Sequence, residues 1–242
     1  MNESNSGGWS AGRLLGAAIA GGIIGSVLTA AALFFALPNM LSSRIVRQGL
    51  ISDPKILPDA VDALRDAQYA PVLAAYRGAI ETPFASAWKG SAKPTATLVE
   101  FFDYACPYCK ASNPSVDRLL KEDKGLRVVY RELPILGDDS VTAARLSLEA
   151  SKLGRFAQFH DTLWNAGRPA PDTIAQAAKA AGIAPQPTQD VEIEAELKRN
   201  FQLAGQLGAT GTPLFVIGNR VMNGAVGYES LKKAVDDARA SS

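Results

Sequence analysis

The sequence predicts an α/β fold, and the junction between one strand and one helix carries this prediction. Residues 98–102 are almost continuously apolar, which is typical of a strand covered on both faces. Residues 110–120 then carry apolar side chains at helical spacing, with Pro114 as an expected kink. Cys106 and Cys109, the two cysteines of the chain, lie between these elements, at the expected N-terminus of the helix.

The next elements follow from apolar runs and turn residues. An edge strand with a turn is expected within residues 82–97, and another strand over residues 126–133. Three helices are then expected: the first over residues 140–153, the second over residues 172–181, and a third that continues to Gly208. The third helix carries apolar side chains along one face: Ile193, Leu197, Phe201, Ala204 and Leu207.

Near the C-terminus the pattern returns to strands. Residues 214–217 predict a buried strand, and Gly218-Asn219 is a two-residue hairpin signal before a return strand at Val221 and Met222. A closing helix is expected over residues 228–238. This order of elements is that of a thioredoxin fold with a helical insertion at about residues 138–207.

Two thiols separated by two residues at a helix N-terminus favour redox chemistry. The pair can close a reversible disulfide, and the free N–H groups and helix dipole favour a thiolate on Cys106. A purely structural disulfide would close so short a loop that its entropic term is only about 2 kcal/mol. A zinc site needs four ligands, whereas this chain offers two cysteines and His160, so it would require a dimer. A pair of unrelated buried thiols is the remaining alternative.

The composition excludes one class of partner. The 242 residues carry a net charge of +1, without a basic stripe, which argues against nucleic acid. The hydrophobic fraction of 47% is sufficient for a sizeable core.

The N-terminal region predicts a membrane anchor. Residues 14–37 contain no charged side chain and exceed the roughly 20 helical residues that span a bilayer. A cleaved signal peptide is the alternative, although its apolar core is normally about 7–15 residues long. Residues 1–13 are then a cytoplasmic tail. Arg13 precedes the span and Arg44 and Arg47 follow it, so the charge count does not support this orientation.

Residues 38–82 predict a helical stalk. Asp53 and Pro54 together suit a helix start, although Pro58 is expected to interrupt the helix. A short apolar stripe follows, formed by Leu57, Val61 and Leu64. This stripe either folds back on its own domain, residues 83–242, or pairs with copies of itself.

The chain resembles the DsbA-like thiol-disulfide oxidoreductases of bacterial envelopes. The resemblance rests on Phe-Phe-Asp-Tyr-Ala-Cys-Pro-Tyr-Cys-Lys at 101–110, Tyr-Arg-Glu-Leu-Pro at 130–134 and Gly-Thr-Pro at 211–213. Residues 51–64 are similar to the N-terminal helices of ScsC-type members, and in that subgroup such segments can oligomerise the protein.

The resemblance implies roles for individual residues. Cys106 is the attacking thiol and Cys109 the resolving thiol, with Pro107 and Tyr108 as the active-site dipeptide. Pro213 corresponds to a cis-proline facing the thiols, where it and Thr212 bind the substrate backbone; an ordinary trans turn is the alternative. Glu100 matches a buried acid that transfers a proton to the second cysteine, unless it lies at a sheet edge facing water.

Two positions leave the direction of electron flow open. Many DsbA enzymes carry histidine where this chain has Tyr108, and tyrosine supplies no positive charge to the thiolate. Thr212 resembles the isomerase-type members more than the oxidase-type. His160 is expected to pack within a helix rather than to act as a catalyst.

These observations lead to one expected function. The chain is interpreted as a single-pass inner-membrane thiol-disulfide oxidoreductase whose catalytic domain faces the periplasm. It needs no metal or organic cofactor. It acts on protein substrates with cysteines, exchanges electrons with a membrane redox partner, and is expected to form homo-oligomers if the stalk self-associates. The alternative is a non-catalytic, membrane-tethered binding or assembly domain.

Overall fold

The computed structural model describes residues 46–54 and 56–240. The predicted tail over residues 1–13 and the predicted anchor over residues 14–37 lie outside these ranges. Within the described ranges, no helix is both long enough and apolar enough to cross a membrane. The chain divides into two units, Met1–Val61 and Asp62–Ser242, and residues 46–52 of the first are helical.

The second unit holds a mixed sheet with helices on both faces. The sheet has five strands in the order β1-β3-β2-β4-β5. β2 and β3 are parallel, whereas the other neighbouring pairs are antiparallel. The elements in chain order are α1 Ile56–Glu81, β1 Trp88–Gly90, β2 Ala96–Phe102, α2 Pro107–Glu122, β3 Leu126–Glu132, α3 Asp138–Lys152, α4 Phe156–Ala166, α5 Pro171–Ala181, α6 Val191–Gln206, β4 Leu214–Ile217, β5 Arg220–Asn223 and α7 Tyr228–Ala240.

The predicted element order is confirmed, including the edge position of β1 and the β4–β5 hairpin. The helical insertion contains four helices rather than three, because Phe156–Ala166 forms a separate helix after Gly154 and Arg155. On α6, Phe201 is 44% exposed and therefore lies off the predicted face, whereas Asn200 is buried.

The helix before the predicted boundary between stalk and domain, at residues 82 and 83, also packs on the sheet. α1 begins at Ile56 and continues through Glu81, and its residues from Asp62 onward belong to the second unit. Leu73 and Ile80 are buried in a cluster with strand residues such as Val99 and Val129, and with α6 residues. A domain beginning at residue 83 would lose the α1 side chains from this face of the sheet and keep those of α6.

Buried Arg131 on β3 fixes the C-terminal end of α1. Its Nε donates to the carbonyl oxygen of Ile80 at 2.8 Å and its Nη2 to that of Thr82 at 2.7 Å. Its Nη1 donates to Glu196 Oε1 and to Asn200 Oδ1 on α6, each at 2.8 Å. The last carbonyl groups of a helix lack intrahelical donors, so this guanidinium supplies hydrogen-bond donors to the C-terminal end of α1.

Pro58 behaves differently from the expectation for α1. Pro58 does not interrupt the helix, because it lies in the first turn, where an N–H has no intrahelical acceptor. The chain breaks earlier, after the helical residues 46–52, at Asp53 and Pro54. Pro71 lies inside α1 and was not singled out from the sequence.

Candidate active site

The two thiols lie where the sequence places them, at the junction of β2 and α2. Cys106 is the N-cap residue of α2, and Pro107 occupies the first turn. The Cys106 backbone N–H donates to the carbonyl oxygen of Asp103 at 3.0 Å, which shapes the turn after β2. Both cysteines are free thiols; Cys106 is 4% exposed and Cys109 is fully buried. Cys106 therefore lies at the positive end of the helix dipole, next to the surface.

The loop before β4 faces Cys106. The Thr212–Pro213 peptide bond is cis, which confirms the expected geometry at Pro213 and excludes the trans alternative. The Cys106 Sγ donates a hydrogen bond to the carbonyl oxygen of Thr212 at 3.2 Å. The Thr212 hydroxyl is buried and has no hydrogen-bond partner within the described residues. The substrate-binding role of Thr212 and Pro213 stays a prediction.

Glu100 is a buried acid in a central strand. β2 lies between β3 and β4, and Glu100 pairs with Tyr130 on one side and Phe215 on the other. The residue is 1% exposed, so the alternative of a water-facing edge position is wrong. Burial raises the pKa of Glu100 to about 8, although the charge of Lys89 opposes this effect. Near neutral pH this carboxyl group can therefore both hold and release a proton.

Cys109 lies one turn inside α2, in the apolar interior. Burial is the main cause that raises the pKa of its thiol, and the neighbouring Glu100 carboxylate raises it further. A thiol in this environment needs a base to remove its proton before it can attack. Glu100 is a titratable group whose charge acts on Cys109. Proton transfer between the two residues stays a prediction.

Tyr108, in the active-site dipeptide, faces solvent. Tyr108 is 64% exposed beside the buried cysteines. Its backbone carbonyl accepts a hydrogen bond from the Ser112 hydroxyl at 2.9 Å. Tyr108 therefore presents an aromatic ring to approaching partners without changing the local charge.

Asp103 is a site residue that was not identified from the sequence. Its Oδ1 accepts from the Ala105 N–H at 2.7 Å, just before the first thiol. Its Oδ2 accepts from the N–H groups of Ile135 and Leu136 at 2.7 and 2.9 Å. One buried carboxylate thus joins the active-site turn to the loop after β3. An aspartate directly after a strand is a recognised turn signal and could have identified it.

A second polar cluster lies beneath the turn. The Tyr104 hydroxyl lies 3.0 Å from Ser147 Oγ and 3.2 Å from His160 Nδ1. His160 is buried in α4 among aromatic rings, which confirms its expected packing role, and burial holds its pKa well below the usual value. Buried Glu132, also missed from the sequence, has a raised pKa for the same reason, desolvation.

The comparison with protein families agrees with this geometry. The sequence pattern of the DSBA-like thioredoxin domain matches residues 97–236, from β2 to α7. The chain belongs to this family. The DSBA-like match contains the dithiol, the cis-proline loop and the whole helical insertion.

Solved structures resemble this DSBA-like chain beyond the catalytic motif. A periplasmic thioredoxin-like protein of Salmonella enterica serovar Typhimurium is 33% identical, with a TM-score of 0.62, and the match covers 68% of this chain and 95% of that one. ScsC of Proteus mirabilis, in a transitional conformation, is 29% identical with a TM-score of 0.65, and the match covers 83% of this chain and 94% of ScsC. The predicted likeness to DsbA-type and ScsC-type proteins is thus confirmed.

A curated relative is a much longer protein. The chain is 29% identical over 161 residues to the Na(+)/H(+) antiporter NhaA 3 of Salinispora tropica. The match covers 63% of this chain and 24% of the antiporter, so the chain spans about a quarter of the length of the curated relatives it matches.

Proposed function

We propose that this chain is a thiol-disulfide oxidoreductase that exchanges disulfides with protein substrates through Cys106 and Cys109. One observation carries the proposal: the Cys106 Sγ lies at the N-terminus of α2 and 3.2 Å from the carbonyl oxygen of Thr212, at the cis-proline. This arrangement places the attacking sulfur beside backbone groups that can pair with an extended peptide.

The reduction of a substrate proceeds in two exchange steps. The Cys106 thiolate attacks one sulfur of the substrate disulfide, a mixed disulfide forms, and the other substrate sulfur leaves as a thiolate. The Cys109 sulfur then attacks Cys106, and the second substrate sulfur leaves. Two electrons pass from the dithiol to the substrate, and the protein is left with a Cys106–Cys109 disulfide. Substrate oxidation is the reverse of these two steps. In isomerisation the electrons return to the protein dithiol, so the substrate ends with a different disulfide and no net electrons are transferred.

Glu100 serves the second step. The Cys109 thiol must lose its proton before it attacks, and burial makes this loss unfavourable. With a pKa of about 8, Glu100 can accept that proton and release it afterwards. The buried position of the pair keeps Cys109 unreactive until a mixed disulfide forms on Cys106.

The cellular setting is part of the proposal. We place the catalytic domain on the outer side of the bacterial inner membrane, held by an anchor at residues 14–37, because protein disulfides form and persist in oxidising compartments. A membrane redox partner would then reset the dithiol. Similarity to a protein described as periplasmic supports this placement.

The direction of net electron flow depends on whether the membrane redox partner oxidises or reduces the dithiol. Thr212 and the exposed stripe of Leu57, Val61 and Leu64 favour an isomerase, in which several sites share one substrate. A monomer served by an oxidising partner would be an oxidase. Thiol trapping in intact cells separates these outcomes: a mostly reduced dithiol supports the isomerase or reductase, and a mostly oxidised one supports the oxidase.

Insulin reduction tests the activity itself. The native chain should reduce insulin disulfides catalytically, and Cys106→Ser should lose this turnover because no attacking sulfur remains. Equal rates for the two proteins would contradict the proposal and favour a non-catalytic binding or assembly domain.

A further inference from the structure

A groove of about 370 Å³ is lined by α2 and α4, with β1 and β3 at its base. Its floor consists of buried rings, those of Tyr130 on β3 and of His160 and Trp164 on α4. Its rim consists mainly of exposed polar side chains of the two helices. The disulfide-exchange mechanism uses none of these side chains, so the groove requires an explanation of its own.

The rim on α2 carries three polar side chains in a row. Lys110, Asn113 and Asp117 all line the groove, at positions i, i+3 and i+7 of the helix. Residues at this spacing lie on one face of a helix. At about 1.5 Å per residue, Lys110 and Asp117 are separated by roughly 10 Å along the axis. The rim therefore has a cation at the end next to the dithiol, an amide in the middle and an anion at the far end.

The remaining two charges of the groove neutralise each other. Lys89 on β1 forms an ion pair with Asp161 on α4. Burial holds the pKa of His160 well below its usual value, so this ring adds no charge near neutral pH. Neither Lys110 nor Asp117 forms an ion pair within the described part of the chain. The groove thus presents one cation and one anion that an occupant can neutralise.

Hydrogen-bonding groups lie between these two charges. Trp164 is 8% exposed, and its Nε1 has no acceptor among the described residues. Buried polar groups normally have a hydrogen-bond partner, so this donor indicates a bound molecule or water. Asn113 on α2 and exposed Asn165 on α4 also line the groove, and each side-chain amide can both donate and accept.

These features match a short peptide with two charged termini. Its carboxylate would complement Lys110, its ammonium group Asp117, and its peptide groups the amides of Asn113 and Asn165. Three residues of extended chain span about 10 Å, at roughly 3.3–3.6 Å per residue, which equals the separation of the two charges. A zwitterion also suits a groove that holds two lysines and two aspartates.

We propose that this groove binds free peptides of about three residues, with the carboxylate at Lys110 and the ammonium group at Asp117. The inference goes beyond the proposed function and does not depend on it, because neither Cys106 nor Cys109 lines the groove.

Calorimetric titration of the full-length, reduced protein with trialanine at neutral pH is the test. One-to-one binding is expected, with a Kd on the order of 0.1–1 mM because the ligand has few atoms. N-acetyl-trialanine and trialanine amide should each bind about fivefold to tenfold more weakly, because each lacks one terminal charge. Dialanine should also bind more weakly, because it is too short to reach both charges.

Two variants assign the ends of the peptide. Lys110→Met should abolish the preference for trialanine over its amide and keep the preference over the N-acetyl form. Asp117→Asn should abolish the preference over the N-acetyl form and keep that over the amide. Both residues are exposed, so both variants should fold. The matched control is Lys121→Met, which removes an exposed lysine of α2 outside the groove and should bind all three peptides as the native chain does.

Three results would overturn the inference: no binding of trialanine at millimolar concentration, equal affinities of the native chain for the three peptides, or unchanged peptide preferences in Lys110→Met and Asp117→Asn. Tighter binding of the blocked peptides would also overturn it, because the occupant would then be a segment of a longer chain. Cys106→Ser should bind trialanine as the native chain does. Loss of insulin reduction and loss of peptide binding are therefore separate results, and either proposal can fail alone.

Discussion

At the scale of single residues, the central observation is a carboxyl group and a thiol that share one buried environment. Glu100 and Cys109 were both predicted from the sequence, because a lone acid in an apolar strand and a CxxC pair are visible there. Lys89, Asp103 and Glu132 were not predicted. Their roles depend on the strand register and on the loop after β3, which bring distant positions together.

The raised pKa of Glu100 predicts how stability depends on pH. Between about 4.5 and 8 the folded chain binds a proton at Glu100 that the unfolded chain has released, so this contribution to stability is lost as pH rises through that window. In Glu100→Gln this contribution is absent. As pH rises from the lower to the upper end of this window, the free energy of unfolding of Glu100→Gln should therefore increase relative to that of the native protein by roughly a few kcal/mol. Chemical denaturation of both reduced proteins across the window provides the measurement; parallel pH profiles would contradict a raised pKa at Glu100.

The Thr212 hydroxyl predicts an effect on exchange rather than on folding. Thr212→Val removes a buried hydroxyl without a described partner and keeps the β-branched shape, so stability should be unchanged or higher by up to about 1 kcal/mol. The redox equilibrium or the lifetime of the mixed disulfide should change, because burial raises the pKa of the Cys109 thiol and the Thr212 side chain lowers it. Stopped-flow exchange with a peptide disulfide measures this, with Thr210→Val, an exposed neighbour, as the matched control. Unaltered exchange in Thr212→Val would exclude a role in substrate handling.

At the scale of elements, the sequence predicted the strands and the order of the fold more reliably than the helical insertion. The strands carry continuous apolar runs between turn residues, which are local signals. α4 was missed although Phe156, Phe159 and Leu163 are buried along one face. Its N-cap is Arg155, which gives no start signal, whereas α5 begins with Pro171. The burial of the C-terminal half of α1 was also missed, because it depends on the sheet face that this half covers.

The Arg131 cluster predicts a large and specific loss of stability. Arg131→Met removes the donors for the α1 carbonyl groups and leaves buried Glu196 with its longer ion pair to Arg199, at 3.4 Å. The expected cost is about 3–5 kcal/mol in the free energy of unfolding. Arg145→Met, which breaks the more exposed pair with Glu194, should cost less than about 1 kcal/mol. Urea denaturation of the two variants measures both losses of stability. Equal losses would contradict the prediction that the buried interactions of Arg131 contribute more than the exposed pair of Arg145.

At the scale of the whole molecule, the first half of α1 remains to be explained. Leu57, Val61 and Leu64 are 56%, 45% and 61% exposed, whereas Leu73 and Ile80, later in the helix, are buried. The sequence predicted the stripe, but it could not decide between self-association and packing on the chain's own domain, because both bury the same side chains. Exposed apolar side chains at helical spacing suit a contact between copies.

Self-association through this stripe predicts the oligomeric state. The full-length chain should be oligomeric by light scattering, and the triple variant Leu57→Glu, Val61→Glu and Leu64→Glu should be monomeric because charges replace the apolar contact. Ala63→Glu adds a charge between stripe positions and should stay oligomeric. A monomeric native chain would remove the main support for the isomerase, and the oxidase would then be the better assignment.

The central claim is that Cys106 attacks and Cys109 resolves, and trapping the intermediate tests it most directly. With Cys109→Ser and a peptide that contains one disulfide, intact mass spectrometry should detect a long-lived mixed disulfide through Cys106. Cys106→Ser should give none, because Cys109 is fully buried. Adducts of equal yield in both variants, or no adduct in Cys109→Ser, would contradict the account.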